Sequence, residues 1–366
     1  MFSAADHAFM ARALALAERG LYGASPNPRV GCVLAREERI VGEGYHARAG
    51  EPHAEVNALA AAGGEACGAT VYLTLEPCNH HGRTPPCVNA LIEAGVERVV
   101  IATEDPNPAA GAGMTKLRGA GIQVETGLLE HEARELNLGF FSRFARRRPW
   151  VRMKIAASLD GRTALSSGAS QWVTGEQARR DGHRLRARSC AVLTGIGTVL
   201  ADDPQLTVRE IETPRQPWKV VLDSKLRLPL NARILRSGPM LVASAVSFPG
   251  IVKKLEAAGA EIVSLPGTFG KVDLSALMQE LARREVNEVL VEAGTKLNGA
   301  LIKAGLIDEL VIYFAPHLIG GGAPGMFNIP EIGNLGAKRK LLLREVRAVG
   351  EDLRVSALVE NGDRIV

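Results

Sequence analysis

Residues 53–87 read HAEVNALAAAGGEACGATVYLTLEPCNHHGRTPPC. The segment opens with a histidine and a glutamate two positions apart and closes on two Pro–Cys steps. Pro52 opens a helix with HAEVNALAAA behind it, since proline is tolerated at a first helical position. ATVYLTL (69–75) is a β-rich run, and Pro86 and Cys87 start a second helix, CVNALIEAG, ending at Gly95. Helix, strand and helix in direct succession mark a layered α/β fold.

The pattern continues outward on both sides. Residues 3–19 place Phe9, Ala13, Leu16 and Ala17 at helical spacing. SPNP at 25–28 is a turn, and RVGCVLA (29–35) with RIVGEGYH (39–46) reads as a hairpin. Downstream, RVVIAT (98–103) is a buried strand, MTKLRGAG a helix with a glycine end, IQVETG a strand and EHEARELNLGFFSRF one helix. The order ββαβαβαβα predicts a sheet covered on both faces, a three-layer α/β/α domain. SRFARRRPW (142–150) packs four arginines next to Pro149, so the boundary is expected there, with domains at 1–147 and 148–366. The second half is α/β again. Its strands are VRMKIAASLDG, AVLTG, PWKVVLDS, MLVASA, EIVSLPG, EVLVEAG and ELVIYFAP, with ALVENG near the end. Its helices lie at 175–188, IVKKLEAAG, LSALMQELARREV and LNGALIKAG.

Bulk properties bound the function. A chain of 366 residues fits two domains better than one, because single cores stop growing at roughly 250–300 residues. A net charge of +4 and a pI near 8.8 suit a phosphorylated small molecule and require no nucleic acid. Five cysteines, Cys32, Cys67, Cys78, Cys87 and Cys190, are too few and too odd for a disulfide framework. The N-terminus lacks a basic start followed by an unbroken apolar run, and no apolar stretch is long enough to span a bilayer. The expectation is a cytoplasmic protein with no membrane partner.

Catalytic zinc commonly takes three protein ligands and keeps one position open for water. His53, Cys78 and Cys87 are the candidates, each at or beside an expected helix start, where the positive dipole end favours thiolate. One histidine and two thiolates leave the metal electrophilic enough to acidify water toward neutral pH. Glu55 is turned away from the ligand direction and can shuttle a proton without binding the metal. H-x-E followed by P-C is the mark of zinc nucleobase deaminases, here with a longer gap between the cysteines, filled by NHHGRTPP. A structural zinc knob, with His80 or His81 as fourth ligand, competes with this reading; Glu55 and the Pro–Cys steps fit catalysis better. Cys32, Cys67 and Cys190 read as small buried hydrophobes.

In the second half no G-x-G-x-x-G follows the first strand, so a Rossmann site is not expected. Gly195 and Gly197 in TGIGT form a strand-to-turn pair, and Gly294 and Gly299 in EAGTKLNGA bracket a helix entry whose backbone N–H groups suit a pyrophosphate; either pair reads equally as a plain turn. Lys154 reads equally as a strand-edge lysine in solvent, Asp202–Asp203 as a plain turn and Arg83 as a solvated loop charge.

With HAE and TLEPCNHHGRTPPC in view, the sequence resembles the family of bifunctional riboflavin-biosynthesis deaminase–reductases. SPNPRVGCV, GEGYHARAGEPHAEV, EDPNP, MKIAASLDGRTA, SGASQWVTG, GIGTVLADDPQLTVR, VEAGTKLNGAL and GLIDELVIYFAP extend the likeness over nearly the whole length, in the family's order. The resemblance implies a cytidine-deaminase-like domain followed by a dihydrofolate-reductase-like domain. It implies two reactions: zinc-dependent hydrolysis of an amino group on a diaminopyrimidinone ribosylamino phosphate, then NADPH-dependent reduction of the ribose to a ribityl chain. It puts Zn2+ on His53, Cys78 and Cys87, the proton shuttle on Glu55, pyrimidine contacts on Asn27 and Asn107, and ribose-phosphate contacts on His80 and Arg83. It points to Gly294, Thr295, Lys296, Leu297, Asn298, Gly299 and Ala300 for the NADPH phosphates. Ala156 or Ala157, Trp172, Thr198 and Asp202 follow for the rest of the cofactor. Lys154, Ser170, Arg186, Leu206, Arg209 and Glu292 follow for the substrate. Ser189–Cys190 and Thr295 depart from the family pattern without removing a chemical group. The proton donor of the reduction is open among Asp202, Lys154, Glu292 and water.

A nucleic-acid-editing zinc deaminase with an appended RNA-binding module is the rival from another class. It predicts a basic stripe with interleaved aromatics. RFARRRPW (143–150) is the only such patch, and aromatics are just 4% of the chain. Apolar strands near the C-terminus serve either as core or as a dimer face, and a homo-oligomer is the expected assembly.

Overall fold

The computed structural model describes residues 1–80, 85–236, 238–331, 333–334, 336 and 338–360. The chain divides into two units, Met1–Arg146 and a second beginning at Arg147, each with its own sheet.

The first unit runs α1 (Ala4–Glu18), β1 (Gly31–Arg36), β2 (Arg39–Tyr45), α2 (Ala54–Ala62), β3 (Thr70–Leu73), α3 (Cys87–Glu93), β4 (Arg98–Ile101), α4 (Gly113–Gly119), β5 (Gln123–Thr126), α5 (Glu130–Leu136) and α6 (Leu138–Arg146). The sheet order is β2-β1-β3-β4-β5; β1 is antiparallel to both neighbours and β3, β4 and β5 are parallel. Side-chain alternation sorts the two faces. Val33, Tyr72 and Val100 meet Phe9 and Met10 of α1. Cys32, Leu34, Val71, Leu73, Val99 and Ile101 pack with Ala54 and Ala58 of α2 and Val88 and Leu91 of α3.

Helix α1 starts at a capping box: the Asp6 N–H donates to Ser3 Oγ, and the Ser3 N–H donates to the Asp6 carboxylate. Burial alone would raise the Asp6 carboxyl, but the Arg98 guanidinium, the Ser3 N–H and the Tyr72 hydroxyl hold it below the usual carboxylate range. Helix α2 lies directly on the backbone of β2. A Cβ on Gly42 would stand 2.3 Å from the Ala58 carbonyl oxygen, and one on Gly44 2.3 Å from that of Ala54.

Four local expectations change here. His53, in extended conformation, is the N-cap of α2, so Pro52 precedes the helix. The single helix expected after residue 130 breaks at Asn137. Its amide accepts from the Arg29 N–H at 2.8 Å and donates to the Arg29 carbonyl at 2.9 Å, a bridge that replaces helical continuity. Cys67 is exposed, not a buried hydrophobe: it follows a short 3-10 turn in which only Ala66 is buried. Cys78 lies in the loop after β3 and does not itself start a helix.

The second unit runs β6 (Trp150–Ser158), α7 (Glu176–Arg188), β7 (Ala191–Gly195), α8 (Ile196–Asp202), β8 (Trp218–Leu222), β9 (Met240–Ser244), α9 (Pro249–Ala257), β10 (Glu261–Ser264), α10 (Leu274–Arg283), β11 (Glu288–Val291), α11 (Thr295–Lys303), β12 (Glu309–Ala315), β13 (Leu341–Val349) and β14 (Asp352–Val359). The sheet order is β10-β9-β8-β7-β11-β6-β12-β14-β13. It is parallel from β10 through β12, and β14 and β13 close it as an antiparallel pair. Both faces are packed, which is why the central strands read as apolar runs. Because β6 runs between β11 and β12, Lys154 is on an interior strand, and the edge-lysine reading fails. Helix α8 and strand β13 were not expected. The first hides behind the glycines of TGIGT, and the second, LLLREVRAV, is exposed along most of its length and lacks a buried face.

Candidate active sites

In the first unit the N-cap of α2, the loop after β3 and the first residue of α3 bring His53, Cys78 and Cys87 together. One ligand atom from each lies within 4.8 Å of the others. His53 Nδ1 is 3.2 Å from Cys87 Sγ and 3.6 Å from Cys78 Sγ. Cys78 gains from α3 what its own position lacks: the Cys87 N–H donates to its sulfur at 3.4 Å. The Cys78 thiol is pushed well down by hydrogen bonds with the Cys87 thiol and the His53 ring, against burial, while Cys87 is pushed up by the bond to Cys78 and by burial. Two sulfurs this close carry two negative charges together only with a cation beside them. The hydrogen bond to Cys78 also raises His53. Two sulfurs and a ring nitrogen converging on one point are a donor set that fits zinc.

Glu55, in the first turn of α2, is 4% exposed. Burial raises its carboxyl, against its own backbone N–H and the charge of His53. Asn27 carries a partner that was not foreseen. Its Nδ2 donates to His46 Nε2 at 3.0 Å, and His46 Nδ1 donates to the Pro52 carbonyl at 3.1 Å. Burial pushes the His46 pKa down, so the ring is neutral and holds the Asn27 amide in one orientation, with Oδ1 left as acceptor. Asn107 sits in a turn built by its own N–H on Asp105 Oδ1 and by the Ala109 N–H on its Oδ1. Glu76 ties that turn to the cysteine loop, accepting from the Asp105 and Met114 N–H groups at 3.3 and 3.2 Å. His80 is half-buried, and its Nδ1 has no partner among the described residues. Arg83 and His81 lie outside the described residues.

In the second unit the two glycine-bearing turns meet. They follow the adjacent parallel strands β7 and β11 at their C-terminal ends, where open α/β sheets bind ligands. A Cβ on Gly195 would reach Leu297 at 3.3 Å, and one on Gly294 would reach Thr198 Oγ1 at 3.8 Å. Gly294 is the N-cap of α11, and among the described residues no side chain caps it, so the N–H groups of Thr295 and Lys296 remain for an anion. This fits the pyrophosphate of NADPH. Lys296 and Ala300 are exposed, whereas Asn298 and Gly299 are buried against the 326–328 segment. Asn298 donates to the Met326 carbonyl at 3.2 Å, and a Cβ on Gly299 would stand 2.0 Å from the Asn328 carbonyl oxygen. Ala157 is buried in the core and Ala156 is half-buried. Trp172 is 68% exposed, with the Arg179 guanidinium 4.8 Å from its ring centre.

Several residues expected at the substrate pair with one another. Arg186 grips Glu292 through two bonds, at 2.5 and 2.9 Å. Burial would raise the Glu292 carboxyl, but Arg186 beside it holds it down at about 2. Lys154 is lowered by burial, against the pull of Glu292. Ser170 Oγ donates to Asp202 Oδ1 at 3.1 Å. Leu206 is buried in left-handed backbone at φ 53, and Arg209 reaches Thr207 Oγ1 at 3.0 Å. His183, unnoticed in the sequence, is buried among them and accepts the Arg209 N–H at 3.2 Å.

A family model described as the RibD C-terminal domain matches residues 149–355, and one described as the cytidine and deoxycytidylate deaminase zinc-binding region matches residues 3–103. The chain is 48% identical to riboflavin biosynthesis protein RibD of Escherichia coli (strain K12), over 95% of this chain and 98% of that protein. It is 42% identical to riboflavin biosynthesis protein RibD of Aquifex aeolicus (strain VF5), over 95% of this chain and 97% of that one. Among solved structures, Acinetobacter baumannii RibD, form 1, matches with a TM-score of 0.91 at 44% identity, covering 98% of this chain and 99% of that one. A diaminohydroxyphosphoribosylaminopyrimidine deaminase/5-amino-6-(5-phosphoribosylamino)uracil reductase from Thermotoga maritima matches with a TM-score of 0.86 at 33% identity, covering 97% and 99%.

Proposed function

The chain belongs to the RibD family, and from that premise we propose how its residues divide the work of a zinc-dependent deaminase and an NADPH-dependent reductase of riboflavin biosynthesis. Residues 1–147 carry the first step and 148–366 the second. His53, Cys78 and Cys87 hold the metal, which when bound supplies Lewis acidity toward water. Glu55 takes a proton from the water that attacks the amino-bearing ring carbon and delivers it to the departing nitrogen; ammonia leaves, and with the second water proton on a ring nitrogen a carbonyl remains. A carboxyl raised by burial suits a group that must both accept and return a proton. Asn27 offers Oδ1 to a ring donor, Asn107 a second contact, and His80 and Arg83 the phosphate contacts. The observation that carries this reading is the convergence of His53, Cys78 and Cys87 with Glu55 buried beside them.

NADPH supplies the hydride when bound. Gly294, Thr295 and Lys296 at the start of α11 receive its phosphates, Asn298 and Gly299 brace that helix from behind, and Leu297 and Ala300 complete the stretch. Ala156 or Ala157, Trp172, Thr198 and Asp202 line the rest of the cofactor. Lys154, Ser170, Arg186, Leu206, Arg209 and Glu292 form the sugar-phosphate site, where the Arg186–Glu292 pair presents two fixed charges. A phosphorylated pyrimidine is the partner. Five free cysteines fit a reducing cytoplasm. Exposed Leu341, Leu342, Leu343 and Val346 on the edge strand β13 fit a seam with a second copy.

The test is product analysis. The purified chain should release ammonia from the diaminopyrimidine phosphate without NADPH and form the ribityl product only with it. Glu55→Gln should keep zinc and stop ammonia release. Undiminished deamination by a zinc-loaded Glu55→Gln protein would remove this residue from the mechanism.

A further inference from the structure

The segment Gln205–Arg209 belongs to no helix or strand, yet Leu206, Thr207 and Val208 are at most 8% exposed. Buried backbone groups need partners, and here side chains provide them. The Thr207 carbonyl accepts from Arg186 Nη1 at 3.1 Å. Gln216 serves both polar groups of Val208, accepting its N–H at 2.8 Å and donating to its carbonyl at 3.0 Å. The Arg209 N–H donates to His183 Nδ1 at 3.2 Å.

We propose that His183 and Gln216 are positioning residues of the reductase, holding this segment in the one conformation that presents the Leu206 backbone and the Arg209 side chain to the sugar phosphate. The inference rests on the reading of those two as substrate residues. A strand in a ladder would keep its shape by backbone pairing, whereas this one keeps it through the acceptor on His183 and the amide of Gln216. With Nδ1 accepting, the ring proton is on Nε2. The neutral form is secured by burial and by the positive charges of Arg186 and Arg209, which push the His183 pKa down to about 4. Neither residue needs to touch substrate. Arg186 joins the same scaffold to Glu292, so the two arginines keep a fixed separation.

The full-length protein carrying His183→Phe keeps a ring and loses the acceptor; His183→Asn restores an acceptor near Nδ1. Steady-state reduction of the deaminated aminouracil ribose phosphate reads the effect. His183→Phe is expected to raise KM for that substrate about tenfold, the equivalent of about 1.4 kcal/mol, with kcat and the KM for NADPH within about twofold. His183→Asn should restore KM. Gln216 is exposed, so Gln216→Ala tests the second anchor without disturbing a core, and it should raise the same KM severalfold. An unchanged KM in His183→Phe, or equal impairment in Phe and Asn variants, would overturn the role of His183. Should His183→Phe fail to fold, an unchanged KM in Gln216→Ala overturns the proposal. Arg209→Ala is the control for the underlying reading. If it leaves KM unchanged, the segment is not a substrate site and both fall. If it raises KM while the anchor variants do not, only the positioning role falls.

Discussion

Gly44→Ala should disable the deaminase through the seat of α2. A Cβ at this position would lie 2.3 Å from the Ala54 carbonyl oxygen and 2.5 Å from the Ala58 nitrogen, where ordinary contact begins at 3.4 Å. These two atoms are backbone and the third, Asn57 Cβ at 2.8 Å, is fixed to it, so no rotamer relieves the clash and α2 must retreat from β2 by about 1 Å. His53 and Glu55 flank Ala54, and they move with it. A misplacement of about 1 Å at a reacting centre costs roughly 100-fold in rate, or about 2.7 kcal/mol of barrier. Strain in the packed core adds about 1–3 kcal/mol of lost stability. The assay measures ammonia release from the diaminopyrimidine phosphate and NADPH oxidation with the deaminated substrate on one preparation, with zinc content alongside. We expect ammonia release to fall about 100-fold while NADPH oxidation persists. Gly64→Ala, where a Cβ would meet nothing within 4 Å, is the control and should behave as the parent. A Gly44→Ala protein that deaminates at the parent rate would refute the claim that this glycine seat sets the position of Glu55.

Cys78→Ser should lose zinc and ammonia release yet reduce pre-deaminated substrate normally, because the sulfur lies in the first unit; a folded variant that no longer oxidises NADPH would contradict that separation. Gly299→Ala should raise the KM for NADPH and lower thermal stability by about 1–3 kcal/mol, since its Cβ would stand 2.0 Å from the Asn328 carbonyl oxygen and must displace α11. Titration of NADPH binding and a melting curve check it, and unchanged affinity would show that the start of α11 does not hold the cofactor.

What the sequence made legible is what depends on local pattern. Alternating helices and strands gave the layers of both units, and the residue types at 53, 55, 78 and 87 announced a metal site before any distance was known. What escaped depends on distant partners. His46 matters through Asn27, nineteen residues earlier, and His183 through the backbone of Arg209; neither spacing has a periodicity to betray it. Cys78 was placed at a helix start on the strength of its proline, but the N–H its sulfur receives comes from Cys87, across the loop. Asn137 breaks a continuous helical pattern only because Arg29 offers both backbone groups to its amide. The helix entry at Gly294 is legible as a pyrophosphate seat, but its meeting with the turn at Gly195 follows from the adjacency of β7 and β11 in the sheet, which a linear reading does not contain.

The division of the chain near Arg146 has a genetic consequence. Every residue proposed for amine removal precedes it and every residue proposed for sugar reduction follows it, and each portion owns a complete sheet and two apolar clusters. A gene cut at that point would interrupt one peptide bond and leave both ladders whole. The pairing of strands within each sheet does not by itself tie the two steps to one polypeptide.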